Sequence, residues 1–528
     1  MKRIVIVITF LMIAKCSFGQ EQANAGKSNS KYAGDIILDQ EQTYNQRNVR
    51  LSVAFNGWMY AAYSIIDSAT SSSGIKIVYS KDNGLSWNTM NAYIFNNITY
   101  PAFDIVVAGN DTNSLMLYVA GVRKNSDTDY VLYIDKYNAT NAQYLENPYR
   151  SNKNNSVLDI ALASDYRQPS INSAPYSVAM LYSYRNSPYD SLNYVLSTDG
   201  GANFNYENNV TVTNRFLRKV SLSYGRSPNF ANGRYFAAWE VINSNSPTAT
   251  GNIYSSHNQN LIHDAWQSPY NIDSISLATS GLCRYPQIAT QFNDIDNDSL
   301  GISTLIVAER DYHGAGNDHD ILGFYNMGNV HENNWNRADI ENSSNINTLT
   351  PHVRFDPGNN NFLVVYFDST NQKLPYLVNN MNLALPDAWT TITEHYNDDT
   401  TNLIAPWPRV EINPVVNQVA HVWVAEDQNH RGMAMFDAEY LHTGINEEPK
   451  SIFSNGVIYP NPVSEIANLS FDVETSSDIT LQIFDITGKM ILNQEITNIN
   501  AGKRVEQINV KNWKNGVYIF SISSNKDK

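Results

Sequence analysis

Seven segments of the chain repeat one pattern: a short apolar strand, a turn rich in Asn, Asp and Gly, and a second strand carrying aromatics. They are LSVAFNGWMYAAYS, FDIVVAGNDTNSLMLYVAG, LDIALASDYRQPSINSAPYSVAMLYS, VSLSYGRSPNFANGRYFAAWE, PQIATQFNDIDNDSLGISTLIVAE, PHVRFDPGNNNFLVVYF and PRVEINPVVNQVAHVWVAE, beginning at 51, 103, 158, 220, 286, 351 and 408. Repeats every roughly 50 to 65 residues fall in the range of propeller blades. A third strand follows most of them (GIKIVYS, YVLYID, LNYVLS, DILGFYN), and an aromatic follows in many units: Trp87, Phe204, Trp266, Trp335 and Trp389. Each unit therefore supplies about four short antiparallel strands, and no segment carries a 3.6-residue period. A four-stranded sheet of this size cannot bury both faces alone, whereas radial packing around an axis hides them and leaves only short edges. The pattern predicts an all-β chain with a seven-bladed β-propeller over 48–444; an array of β-sandwiches satisfies the same turn signals and is the competing reading. The last unit lacks an outer strand after GMAMFDAEY, and GDIILDQ in the segment 20–47 can fill that place and close the ring.

The rest of the composition narrows the setting. At 528 residues and 42% apolar the chain is too long for one ordinary core and too apolar for disorder. The net charge of -15 is spread without an acidic block, and no basic stripe exists to neutralise phosphates, which argues against nucleic-acid binding. MKRIVIVITFLMIAKCSFGQ reads as a secretory signal peptide over 1–19, too short to anchor in a bilayer, with Ser17 and Gly19 before the cut. Lys15 ahead of Cys16 fits a lipobox poorly. Cleavage leaves Cys283 of the 2 cysteines, so no internal disulfide and no cysteine metal cluster is expected. A monomer with no further membrane-spanning segment is the expectation.

SKDNGLSW at 80–87 resembles the Asp-box of sialidase-like (BNR-repeat) propellers, matching at Ser80, Asp82, Gly84, Ser86 and Trp87. STDGGANF at 197–204 keeps Ser197, Asp199 and Gly201 and has Asn203 and Phe204 at the last two positions. The Asp side chain can bond the turn's amides, Gly permits positive φ, and the aromatic packs between sheets, so the turn is read as structural. In that family it lies on the face opposite the substrate.

After Gly444 the composition changes. INEEPKSIFSNG reads as a linker (445–455), and 456–528 resembles the type A C-terminal sorting domain of the type IX secretion system of Bacteroidota. The matching pieces are YPNPV (459–463), IFDITGKMI (483–491) and NGVYIFSI (515–522). Alternation in ITLQIF and VYIFSI predicts a small antiparallel β-sandwich. The resemblance implies passage through the outer membrane by the type IX machinery and a secreted or surface location.

Chemistry in a propeller sits where the inner strands line the channel. Aligned, those strands give one polar column, Ser52, Asp104, Asp159, Ser221, Gln287, His352 and Arg409. The ends of the second strands give another: Ser64, Gly121, Ser183, Glu240, Glu309, Phe367 and Glu426. Converging carboxylates can work as acid and base on a glycoside, or simply be the polar wall of a wet channel. Asp104, Asp159, Glu240, Glu309, His352, Arg409 and Glu426 are the catalytic candidates. The loop ERDYHGAGNDHD at 309–320 adds Arg310, Asp311, Tyr312, His313 and His319 as binding candidates, and AEDQNHRG adds His430 and Arg431. His313 and His319 lack a sharp metal spacing. Asp294, Asp296 and Asp298 alternate as hard oxygen donors for a structural calcium, or form a metal-free hairpin; Ser299 stands where an EF-type loop wants Gly. No cofactor is required.

The resemblance to sialidases fails its residue test. Arg50 in NVRLSV lacks the proline of an Arg-Ile-Pro motif, no arginine triad with a tyrosine–glutamate pair assembles from the sequence, and seven units exceed that family's usual six. Two classes remain: a displayed module binding glycan or protein at the channel mouth, and a glycoside hydrolase or polysaccharide lyase. A lyase would draw on His352, Tyr312 and Arg409. No phosphate-cradling Gly loop, nucleophile elbow or HExxH motif occurs, which disfavours nucleotide enzymes, serine hydrolases and zincins.

Overall fold

The computed structural model describes Val5–Val7 and, with gaps that include 166–175, 293–301, 312–318 and 381–388, residues 34–440 and 453–524. Regular structure among these is β-strand, broken by two short 3₁₀ turns, Thr112–Ser114 and Ile272–Ile275. The chain divides into two units, Ser28–Leu441 and a second made of Met1–Lys27 with His442–Lys528.

Among the described residues the larger unit holds seven antiparallel sheets of four strands, the fourth with one extra short strand. Sheet 1 runs Asn45–Val53, Met59–Asp67, Ser72–Ser80, Asn88–Asn96 from inner to outer strand. Sheets 2 to 6 repeat this order and start with Thr99–Ala108, Val157–Ser164, Phe216–Ser227, Cys283–Thr290 and Thr348–Asp356. Sheet 7 comprises Arg409–Asn413, Gln418–Glu426 and Gly432–Tyr440, with Ile36–Ile37 as its fourth strand, Ile36 opposite Phe436 and Ile37 opposite Met435. The first strand of each sheet lies beside that of the next, and that of sheet 7 lies beside that of sheet 1.

Second strands are covered on both faces, which is why they read as unbroken apolar runs rather than alternating ones. All nine residues of QVAHVWVAE (Gln418–Glu426) are buried. Cores form between neighbouring sheets: Leu181, Tyr194, Leu222 and Trp239 join sheets 3 and 4, and Met59, Tyr63, Val422 and Phe436 join sheet 7 to sheet 1. The smaller unit has its own core, in which Leu469, Phe471, Ile483 and Phe520 come from a three-stranded and a four-stranded sheet. Residues 445–452, where the linker is expected, and most of 1–19, where the signal peptide is expected, lie outside the described residues.

The two Asp-box turns have one hydrogen-bond plan. Ser80 Oγ donates to Asp82 Oδ1 (2.7 Å) and accepts from Gly84 N (2.9 Å), while Ser86 donates to Asp82 from N (3.0 Å) and from Oγ (2.5 Å). Ser197, Asp199 and Gly201 repeat this, and the Asn203 amide donates to Asp199 Oδ2 at 2.8 Å where the first turn uses a hydroxyl. Burial works against the charge on Asp82, yet the bonds from Ser86 and Ser80 hold its pKa below the usual range. Each turn reaches the neighbouring sheet: Trp87 meets Phe436 edge-on at 5.0 Å, and Phe204 meets Tyr118 at 6.4 Å. Gly201 sits at φ +70°, and a Cβ there would lie 2.1 Å from the hydroxyl of fully buried Tyr118. We expect Gly201→Ala to lower stability by about 2–3 kcal/mol in urea denaturation, from positive φ and overpacking together.

Candidate functional site

A repeated backbone irregularity builds the site. Near their starts, inner strands carry the tripeptides Asn48-Val49-Arg50, Lys219-Val220-Ser221, Tyr285-Pro286-Gln287, Thr350-Pro351-His352 and Trp407-Pro408-Arg409. The first residue of each is left-handed, with φ of 52°, 53°, 54°, 49° and 46°. Register to the second strand jumps at four of these places, between Arg47 and Arg50, Arg218 and Ser221, Arg284 and Gln287, Leu349 and His352. Bulges re-aim side chains, and bulky or β-branched residues at positive φ are rare and gather at functional sites. All five left-handed residues line one cavity of about 210 Å³.

Ser52, Asp104, Asp159, Ser221, Gln287, His352 and Arg409 line the same cavity. It also receives Arg50, Lys219, Tyr285, Arg354, Trp407 and Glu411, which the polar column does not contain. Four cations thus face three carboxylates. Arg50 Nε lies 3.5 Å from Asp104 Oδ1, and Arg354 Nε 2.9 Å from Glu411 Oε2. Arg409 donates to Gln287 Oε1 through one terminal nitrogen, and its Nε is buried with no partner among the described residues. Tyr285 and Trp407 meet edge-on at 5.1 Å, with Lys219 Nζ 5.1 and 5.3 Å from their ring centres.

The electrostatics follow from crowding out of water. Burial and the neighbouring charge of Arg50 pull Arg409 down to about 9. Burial, then the charge of Asp104, push Glu411 up to about 7 against the pull of Arg354. Burial raises Asp104, partly offset by Arg50 and by Leu162 N, which donates to it at 2.8 Å. His352 is held well below its ordinary value by burial and by Arg409, Arg354 and Arg50, so it is neutral. Its Nδ1 accepts from Val410 N at 3.2 Å, which puts the ring proton on Nε2 and makes that atom a donor.

The glutamates of the second column are elsewhere. Glu240 accepts from Arg218 Nε at 3.1 Å and Nη2 at 3.2 Å. Glu309 accepts from Arg284 Nε at 2.5 Å and Thr350 N at 3.2 Å and lies 2.9 Å from His319 Nδ1. Glu426 takes Arg47 at 3.2 Å and sits 3.4 Å from His430 Nδ1. None of the three lines the cavity. Arg310 is buried opposite Cys283 and Asp320, Asp311 is half-buried, and the largely exposed His430 adjoins Arg431, which pairs with Asp427. Tyr312, His313, Asp294, Asp296 and Asp298 lie outside the described residues, and among those described no group of three or more His, Cys, Asp or Glu could hold a metal.

Residues 457–528 match the model of the secretion system C-terminal sorting domain. The tail is an export signal. It directs the protein through the type IX system to the cell surface or beyond. No curated protein matches the chain. Among solved structures it is similar to the α-L-arabinofuranosidase Arb93A of Fusarium graminearum (11% identity, 78% of this chain and 99% of that one, TM-score 0.44). Penicillium chrysogenum α-L-arabinanase, complexed with arabinobiose, gives 11% identity, 78% and 98% coverage and a TM-score of 0.42. The polysaccharide lyase Uly1 gives 7%, 83%, 97% and 0.45. These are distant likenesses, and the chemistry of the site is read from its own residues.

Proposed function

We propose that the seven sheets form a seven-bladed β-propeller, the tail a small β-sandwich, and that the exported propeller binds a carboxylate-bearing extracellular glycan in its central cavity. One observation carries this reading: four cations, Arg50, Lys219, Arg354 and Arg409, line the cavity against three carboxylates, and burial and Arg50 destabilise the charge on Arg409. An incoming carboxylate would relieve this, because a guanidinium matches it with paired donors. Tyr285 and Trp407 beside Lys219 supply flat apolar faces next to that charge, the combination a charged sugar ring requires. Titrating the protein with oligogalacturonate tests this. Binding should weaken as salt rises, and Arg50→Ala or Arg409→Ala should lower affinity at least about tenfold. Absence of binding, or binding untouched by either variant, would overturn it.

Glu411 favours a second reading, hydrolysis. A carboxyl near 7 inside a cavity is what a general acid needs, and Asp104 lies close enough for its charge to act on it. Since the acid must be protonated, turnover would fall as pH rises through about 7, and Glu411→Gln would abolish it. A screen of acidic and neutral polysaccharides yielding no product removes this reading and leaves binding. The protonated Nε2 of neutral His352 speaks against its use as a lyase base.

A further inference from the structure

Aromatic and polar side chains wall the outer part of the space between sheets 1 and 2. Alternation along the outer strand of sheet 1 puts Asn91, Tyr93 and Phe95 on one face. Alternation along Asp129–Asn138, the third strand of sheet 2, does the same for Tyr133, Asp135 and Tyr137. The two faces are joined by polar tips: Tyr93 and Tyr133 hydroxyls lie 3.0 Å apart, and Asn91 Nδ2 donates to Tyr137 Oη at 2.9 Å. Here a cavity of about 280 Å³ remains.

Its mouth has two exposed rings. Phe95 is 41% exposed and leans on Tyr93 at 6.1 Å; Tyr144 is 48% exposed and meets Tyr137 edge-on at 5.4 Å. Between them stand planar polar groups. Asn147 Nδ2 donates to Asp135 Oδ1 at 2.8 Å, and Arg123 Nε is buried without a hydrogen-bond partner among the described residues. Among the described residues only one lining side chain, Val131, is aliphatic. A pyranose or furanose ring presents C–H faces to aromatic rings and hydroxyls that both donate and accept, and this wall offers both halves of that match.

We propose that this cleft is a second saccharide site, separate from the central cavity and independent of what that cavity binds. Isothermal titration of the full chain with xylohexaose, cellohexaose and arabinohexaose tests it. At least one should bind with a Kd below about 1 mM, and Phe95→Ala and Tyr144→Ala should each weaken it about tenfold. Both side chains are surface-exposed, so the variants keep the fold, which circular dichroism verifies. Arg409→Ala should leave this binding unchanged. No binding by any of the three, insensitivity to both cleft variants, or loss in Arg409→Ala instead would each overturn the proposal, the last by moving the sugar to the central cavity.

Discussion

A chain truncated after Gly444 is expected to fold its seven sheets and to remain within the cell envelope. The sorting-domain match covers 457–528, and the smaller unit closes its own core around residues from Ile458 to Ile522. Among the described residues the larger unit closes seven cores from its own sheets. Truncation therefore removes an address without opening a core, and apolar burial in the sheets, the main stabilising term, is untouched. Immunoblots of medium, surface and envelope fractions would read the first half of the expectation, and protease resistance of the retained chain the second. Full-length protein should be found outside and the truncated form should not. Truncated protein found outside in equal amount would separate export from the tail.

The parts of this fold that were legible are those written in consecutive residues. Ser80, Asp82, Gly84 and Trp87 close on one another within a single turn, so their spacing suffices. The tail motifs are local in the same way. The inner-strand column was legible because the start of each strand is marked, as in Tyr285-Pro286-Gln287 and Trp407-Pro408-Arg409, and its members share one cavity. Sheet 1 shows where such reading slips. Alignment on the apolar run selects Ser52, whereas register resumes after the bulge at Arg50, opposite Ala62, and it is Arg50 that pairs with Asp104. A bulge inserts residues that strand alternation does not count, so periodicity alone moves out of phase there.

The glutamate column needed long-range knowledge. Arg218 and Glu240 face each other across adjacent strands, as do Arg284 and Glu309, and in sheet 6 the same positions hold Leu349 and Phe367. Arginine before the bulge goes with glutamate at the end of the next strand, and leucine goes with phenylalanine. That covariation within the repeat was visible in the sequence, and it marks a structural pair rather than a channel-facing acid. Sheet 1 breaks the rule, since Arg47 stands opposite Ser64 and reaches across to Glu426 of sheet 7.

Removal of Glu309 is accordingly expected to show first as lost stability. Its side chain is 0% exposed and gathers Arg284, His319 and Thr350 N at one carboxylate. Burial works against the Arg284 cation, and Glu309 more than offsets that, raising its pKa. Glu309→Ala leaves a half-buried guanidinium and a buried amide without their acceptor, a loss of about 3–5 kcal/mol. Glu309→Gln keeps the shape and the Thr350 bond but removes the charge, so it should fall between wild type and Ala. The pair Arg284→Leu with Glu309→Phe copies sheet 6 and should recover much of the loss, because apolar replacement of a buried ion pair is often close to neutral. Recovery should stay incomplete, since Thr350 N still lacks its partner. Urea midpoints of the four proteins decide between this and a catalytic role. If Glu309→Gln were as stable as wild type yet lost ligand turnover, a carboxylate sealed from solvent would have to reach substrate, and the assignment of Glu309 as a strut between sheets 5 and 6 would be overturned.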